Sequence, residues 1–204
     1  MILVQREFYS SDGAYSYLLR DPALRGVIVV DPAPEWIHAY ATSFDERGHE
    51  PVFILETGSV RRSREASRAI GRRWRARGFM PCDRLGLTPS VPVGHGDSVD
   101  LGGLPVSVVG RVGRVNEAVS YCFEGRVFVG DRWAHEEPEL LALPEETLVF
   151  RSHSARGDNR ETLADVRNIL AFESEDWKSL QAGLGSGART IGPQSVEKAI
   201  PLGA

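Results

Sequence analysis

The sequence predicts one layered α+β domain, and three observations carry that expectation. A chain of 204 residues with 42% hydrophobic content is long enough to bury its own core. Short β-branched runs alternate with amphipathic segments along the chain. No repeat, low-complexity tract or linker interrupts residues 1–204, so a single domain is expected throughout.

The elements follow in order. Residues Tyr15 to Leu19 and Gly26 to Val30 read as strands, the second closed by Asp31-Pro32. Glu35 to Arg47 reads as a helix, with Trp36, Ala39, Tyr40 and Phe44 at helical spacing. A strand is expected from Pro51 to Leu55, then a helix over residues 60–77 with an apolar stripe of Ala66, Ala69, Ile70 and Trp74. Further strands are expected at Ser98 to Leu101, Leu104 to Val109, Ala118 to Phe123 and Arg126 to Val129, the last pair joined by a Glu-Gly turn. One more lies near Val149.

Composition narrows the function classes. No run approaches the roughly 20 apolar residues of a membrane span, and a soluble cytoplasmic protein is expected. Cys82 and Cys122 lack any C-x-x-C partner, which predicts buried thiols rather than a zinc knuckle or disulfide framework. The net charge of −4 hides an asymmetry. Arg61, Arg62, Arg64, Arg68, Arg72, Arg73, Arg75 and Arg77 are opposed locally only by Glu65, whereas Glu136, Glu137, Glu139, Glu145 and Glu146 gather elsewhere. Lys178 and Lys198 are the only lysines, a bias that codon usage explains as readily as function.

Several phrases, in shared order and across nearly the whole chain, resemble one family: YSYLLRDP with VIVVDPAP, the strand ILET, HGDSVDLGGLPVSVV, EAVSYCFEGRVFVGD, LALPEETLVFRSH, and SEDWKSL with GPQSVEKAIP. The chain is similar to metallo-β-lactamase-fold proteins of the persulfide dioxygenase and glyoxalase II branch. The resemblance implies a four-layer αββα sandwich, with two sheets face to face, helices outside, and an active site at one edge. Members of that family hold one or two metal ions in a H-x-H-x-D-H loop, a P-G-H turn, a G-D step and a final His.

Carried onto this chain residue by residue, the pattern fails at most positions. Gly58 and Val60 stand at the first two His positions, Arg62 at the Asp and Ser63 at the third His. Arg114 replaces the His of the P-G-H turn, and only Asp131 and His153 remain. The two-His-one-carboxylate iron set of this branch becomes Gly58, Arg114 and Asp131. Permanently charged guanidinium groups oppose a cation, and a metal site needs about three or four protein ligands, so no metal or other cofactor is expected. The substrate-loop insertion that follows the G-D step in many relatives also has no counterpart in GDRWAHEEPELLALPEETLVF.

Three roles for the altered site stay open at this stage. In the first, Arg62 and Arg114 neutralise Asp131 structurally, with His153 a relic, and the chain acts as a non-catalytic binding or structural subunit. In the second, Arg61, Arg62, Arg111 and Arg114, with Arg132 and Arg151, form an anion site. In the third, Asp131, His135 and His153, with His95 if its loop folds inward, form an unorthodox metal site for a hydrolase or thiol dioxygenase. A serine hydrolase is not expected, because Ser59 lacks the G-x-S-x-G elbow. The expected partner is another protein that faces Arg64, Arg68, Arg72, Arg75 and Trp74 with an acidic surface. Trp36, Trp133 and Trp177 are further candidate anchors. A sequence pI near 5.8 and the lack of a recognised motif argue against specific nucleic-acid readout. The sequence leaves the oligomeric state open.

Overall fold

Two six-stranded mixed sheets build the fold in the computed structural model, which describes residues 3–10, 13–20, 26–45, 48, 50–58, 63–81, 90–110, 118–130, 138–153 and 160–167. The first sheet runs in chain order: β1 (Leu3–Tyr9), β2 (Tyr15–Arg20), β3 (Gly26–Val30), β4 (Glu50–Leu55), β5 (Arg77–Met80) and β6 (Ser90–Pro92). Its first two pairings are antiparallel and the next three parallel. The crossovers from β3 to β4 and from β4 to β5 therefore need connecting elements, as parallel neighbours do. They are supplied by a 3-10 turn (Pro34–Trp36) running into α1 (Ile37–Asp45), and by α2 (Ser63–Trp74).

The second sheet has the order β12 (Arg160–Thr162), β11 (Leu148–Arg151), β10 (Arg126–Val129), β9 (Val119–Phe123), β8 (Pro105–Gly110) and β7 (Ser98–Asp100). Its one parallel pair is β10 with β11, which α3 (Pro138–Leu141) connects. The turn from β9 to β10 is the expected Glu-Gly pair: Glu124 and Gly125 have φ of 44° and 69°, both left-handed as a two-residue hairpin requires.

Strand periodicity explains the layers. In β8 the burial alternates, with Val106, Val108 and Gly110 inward and Pro105 and Ser107 outward. Strands β2 and β3 are buried along nearly their full length, because one face meets the second sheet and the other meets helices. The inter-sheet core joins Tyr17, Leu19, Ile28, Val30, Leu55 and Phe79 to Val106, Tyr121, Phe123, Phe128 and Phe150. Phe128 stacks on Phe150 with centroids 4.8 Å apart, and Tyr17 meets both rings edge-on. A second cluster, with Leu18, Val29, Tyr40, Phe44, Ile54 and Ile70, packs α1 and α2 onto the outside of the first sheet. On the second sheet, Leu140 of α3 and Leu163 and Val166 of the short helix 163–167 are buried. Arg167 donates to Leu141 O and Leu143 O, tying that helix to the end of α3. All described residues belong to one compact unit, Met1–Arg167. No helix among them is long and apolar enough to cross a membrane.

Several expectations need correction. The arginine helix is shorter than residues 60–77: it ends at Trp74, Arg75 turns left-handed at φ 56°, and Arg77 already opens β5. A residue in that conformation ends a helix, and the pattern of small and charged residues conceals the stop. Its inward stripe uses Ser63, Ala66, Ser67 and Ile70, while Ala69 is only half-buried. Cys122 is half-buried rather than buried, and Cys82 lies outside the described residues. Trp74 is not an open anchor. Its ring meets Phe44 edge-on at 5.2 Å and the Arg73 guanidinium covers it at 4.6 Å. Trp36 is half-buried beside Phe8, whereas Trp133 and Trp177 lie outside the described residues.

Candidate functional site

Strands β3, β4 and β5 are parallel, so their C-terminal ends meet at one edge of the sandwich, the position where open parallel sheets gather their working loops. Asp31 follows β3, Glu56 to Gly58 follow β4, and Pro81 follows β5. The second sheet contributes Ala118 ahead of β9 and Ser152 and His153 after β11.

Asp31 organises this edge. It is buried with φ of 44°, and its backbone N–H donates to Leu55 O at 2.9 Å. One carboxylate oxygen accepts from Thr57 N and the other from Thr57 Oγ1, each at 2.8 Å. The loop is held on its other side as well. Glu56 N donates to Phe79 O and Val119 N donates to Thr57 O, both at 2.9 Å, so the residues after β4 are bonded to both sheets. Tyr121 is fully buried, and its hydroxyl reaches Glu56 O at 3.0 Å and Phe79 O at 2.9 Å. Burial, with smaller contributions from Asp31 and Glu56, pushes that phenol well above its ordinary range. The hydroxyl is a hydrogen-bond donor at any physiological pH.

Gly58, which the sequence resemblance aligns with the first ligand position, has no room for a side chain. Its φ is 86°, and a Cβ there would lie 2.5 Å from Pro81 Cγ and 3.5 Å from Ala118 Cα. Carbon atoms pack at about 3.5–4.0 Å, so Pro81 fills the direction in which a ligand side chain would start. Ser63, at the third His position, is buried at the start of α2. His153 is exposed, with its backbone bridged to Ala14 while Tyr15 N donates to Ser152 O at 2.8 Å. His95 does not turn into this edge. It lies beside the end of β8, with its Nδ1 3.4 Å from Gly110 N and 3.3 Å from Glu139 Oε2. Val60, Arg61, Arg62, Arg111, Arg114, Asp131, Arg132 and His135 lie outside the described residues. Arg151 pairs with Glu161 through its Nε at 2.6 Å, so this arginine is engaged on the second sheet.

One buried group escaped the sequence reading. Glu56 is 1% exposed, and among the described residues its Oε1 has no hydrogen-bond partner. Ser67 Oγ lies close by on α2. Burial raises the Glu56 carboxyl above the usual glutamate range, and nearby Ser67, Arg64 and Ser63 pull it back only in part. An acidic residue directly after an apolar strand was the available signal.

Beyond the edge, α2 carries its charge outward. Arg64 and Arg68 are half-buried, whereas Arg72, Arg73 and Arg75 are exposed. Arg64, Arg68 and Arg72 follow one another at intervals of four residues, a single stripe along the helix.

Structural comparison decides the architecture. ETHE1 from Myxococcus xanthus matches over 78% of this chain and 80% of its own, with a TM-score of 0.64 and 24% identity. The chain has the metallo-β-lactamase fold. The metallo-β-lactamase of Staphylococcus aureus subsp. aureus COL gives the same TM-score at 16% identity, over 94% of this chain and 68% of that one. TTHA1623, in its di-iron-bound form, gives 0.57 at 18% identity, over 80% and 95%. No family model matches this metallo-β-lactamase-fold chain, and no curated protein matches it by sequence. The edge described above is the one at which the fold's metal sites are expected. Among the described residues, Gly58, which the sequence pattern aligns with the first ligand position, has neither a side chain nor space for one, so this position does not fit a metal ligand of the family's kind. Among the described residues, no three His, Cys, Asp or Glu side chains converge as a metal site.

Proposed function

We propose that this metallo-β-lactamase-fold protein is a non-catalytic relative of the persulfide dioxygenase and glyoxalase II branch, serving as a binding or structural subunit in a protein assembly. The supporting observation is the closed first ligand position. Gly58 combines a left-handed backbone with a Cβ direction occupied by Pro81, so the loss of the ligand is built into the packing rather than confined to one side chain. A three- or four-ligand site needs every ligand in place to compete with water for a divalent ion. The edge has instead become a hydrogen-bonded joint, in which the Asp31 carboxylate and Tyr121 hydroxyl bind backbone groups. The exposed arginines of α2 provide the binding face, matched to an acidic protein surface.

Two measurements test the halves of this reading. Protein purified without chelator and supplied with iron(II), zinc(II) or manganese(II) is expected to retain far less than one metal per chain in elemental analysis. Stoichiometric metal together with oxygen uptake on a persulfide, or hydrolysis of a thioester, would overturn the non-catalytic reading. Polyglutamate is expected to bind and to perturb the fluorescence of Trp74, which lies beneath Arg73. The triple change Arg68→Glu, Arg72→Glu, Arg75→Glu should abolish that response. Equal binding by both proteins would remove α2 as the surface.

A further inference from the structure

The acidic surface that fits α2 is present on this chain itself. α2 packs on the first sheet against β4 and β5, with Arg72, Arg73 and Arg75 exposed at its end. None of these three makes an ion pair with an acidic residue among the described residues. The opposite charge gathers on the second sheet, where α3 and the turn that follows it carry Glu139, Glu145 and Glu146 between β10 and β11. The Glu139 and Glu145 side chains are 55% and 71% exposed even though each has a neighbour, His95 and Arg167 respectively. Glu145 Oε1 receives Arg167 Nη1 at 3.0 Å, which leaves its other oxygen for a second donor.

The two charged surfaces belong to different sheets, a separation imposed by the crossovers that place α2 and α3. Resting on the reading of α2 as a binding face, we propose that its occupant is a second copy of this chain, which presents the Glu139, Glu145 and Glu146 segment to Arg72, Arg73 and Arg75. Such a contact is head-to-tail, because each copy uses a different patch from the one its neighbour uses. It therefore continues into a ring or an open chain rather than stopping at a symmetric dimer. Guanidinium groups suit the contact, since each makes two parallel hydrogen bonds to one carboxylate. Such pairs on an exposed rim act largely through encounter rate and are screened by salt.

Analytical ultracentrifugation of the full chain tests this, with wild type compared at low and high ionic strength. Wild type is expected to form oligomers larger than two at low salt and to dissociate at high salt. Two neutralised variants isolate the patches: Arg72→Gln, Arg73→Gln, Arg75→Gln on one surface, and Glu139→Gln, Glu145→Gln, Glu146→Gln on the other. Each alone should weaken self-association by about tenfold or more. Mixed together, they keep one intact basic face and one intact acidic segment, and should form a one-to-one pair that cannot grow. That capped pair also shows that both variants are folded. A wild type that stays monomeric at low salt overturns the proposal, as does association unchanged in either variant or a mixture that fails to pair. Polyglutamate binding by a monomeric wild type would leave the α2 binding face standing while removing the second copy as its occupant.

Discussion

Replacing Gly58 with alanine probes the closed ligand position directly. Two penalties add at this residue. A Cβ in the left-handed region costs about 1–2 kcal/mol. The same Cβ would lie 2.5 Å from Pro81 Cγ, about 1 Å inside ordinary carbon contact, and forcing excess volume into a packed site costs about 1–3 kcal/mol. Gly58→Ala should therefore destabilise by about 2–5 kcal/mol. Gly125 supplies the control, because its φ is 69° and nothing lies within 4 Å of its Cβ direction. Gly125→Ala carries the backbone penalty alone, so the difference between the two variants isolates the collision. Urea unfolding gives both values, and Pro81→Ala completes a double-mutant cycle by removing Cγ and Cδ. In the Pro81→Ala background, the cost of Gly58→Ala should fall towards that of Gly125→Ala. If Gly58→Ala is no worse than Gly125→Ala in the native background, the packing argument against a restored ligand fails. Gly58→His, which places at this position the residue that the sequence resemblance implies for the family, meets the same two penalties.

Glu56 and Asp31 give two further predictions. The folded state holds the Glu56 proton to higher pH than the unfolded chain does. Its contribution is therefore most favourable below the unfolded glutamate range and is lost as pH rises towards the raised folded value. Each unit of that difference is worth about 1.4 kcal/mol. Glu56→Gln should flatten this part of the stability–pH curve in urea titrations, and curves of identical slope for the two proteins would refute it. Asp31→Ala removes the carboxylate that accepts from the buried N–H and hydroxyl of Thr57, two hydrogen bonds to a charged group worth about 1.5–3 kcal/mol each. Thermal unfolding checks this, and a melting temperature equal to that of wild type would contradict the role of Asp31 as the clasp of the loop after β4.

Local pattern determined much about this protein without any coordinates. The run GVIVV predicts β3 with the observed bounds, and RVFV does the same for β10, because β-branched and aromatic residues bounded by glycine, aspartate or a turn have few other ways to fold. The order of phrases is sufficient to anticipate two sheets with helices outside them. The absence of histidine from residues 58–63 is likewise a fact of sequence. Less visible were β1, β5, β6 and β12. Three of these, β1, β6 and β12, are edge strands, and β5 hides behind the arginine run, so their formation depends on a neighbouring strand more than on their own composition.

Tertiary structure decided matters that depend on residues distant in sequence. Gly58 reads as an ordinary loop glycine until Pro81, following a different strand, fills the space beside it. Glu56 becomes a costly buried acid only when α2 closes over the end of β4. Thr57 is bonded to Asp31 across 26 residues of chain, a distance no periodicity encodes. Trp74 looks like a candidate anchor in a list of tryptophans, yet Phe44 and Arg73 take both its edge and its face. Composition and spacing act through neighbours along the chain and thus determine elements and charge. Whether a lost ligand could return, and which charged surface is open to a partner, depend on the crossovers that bring separate strand ends and helices together.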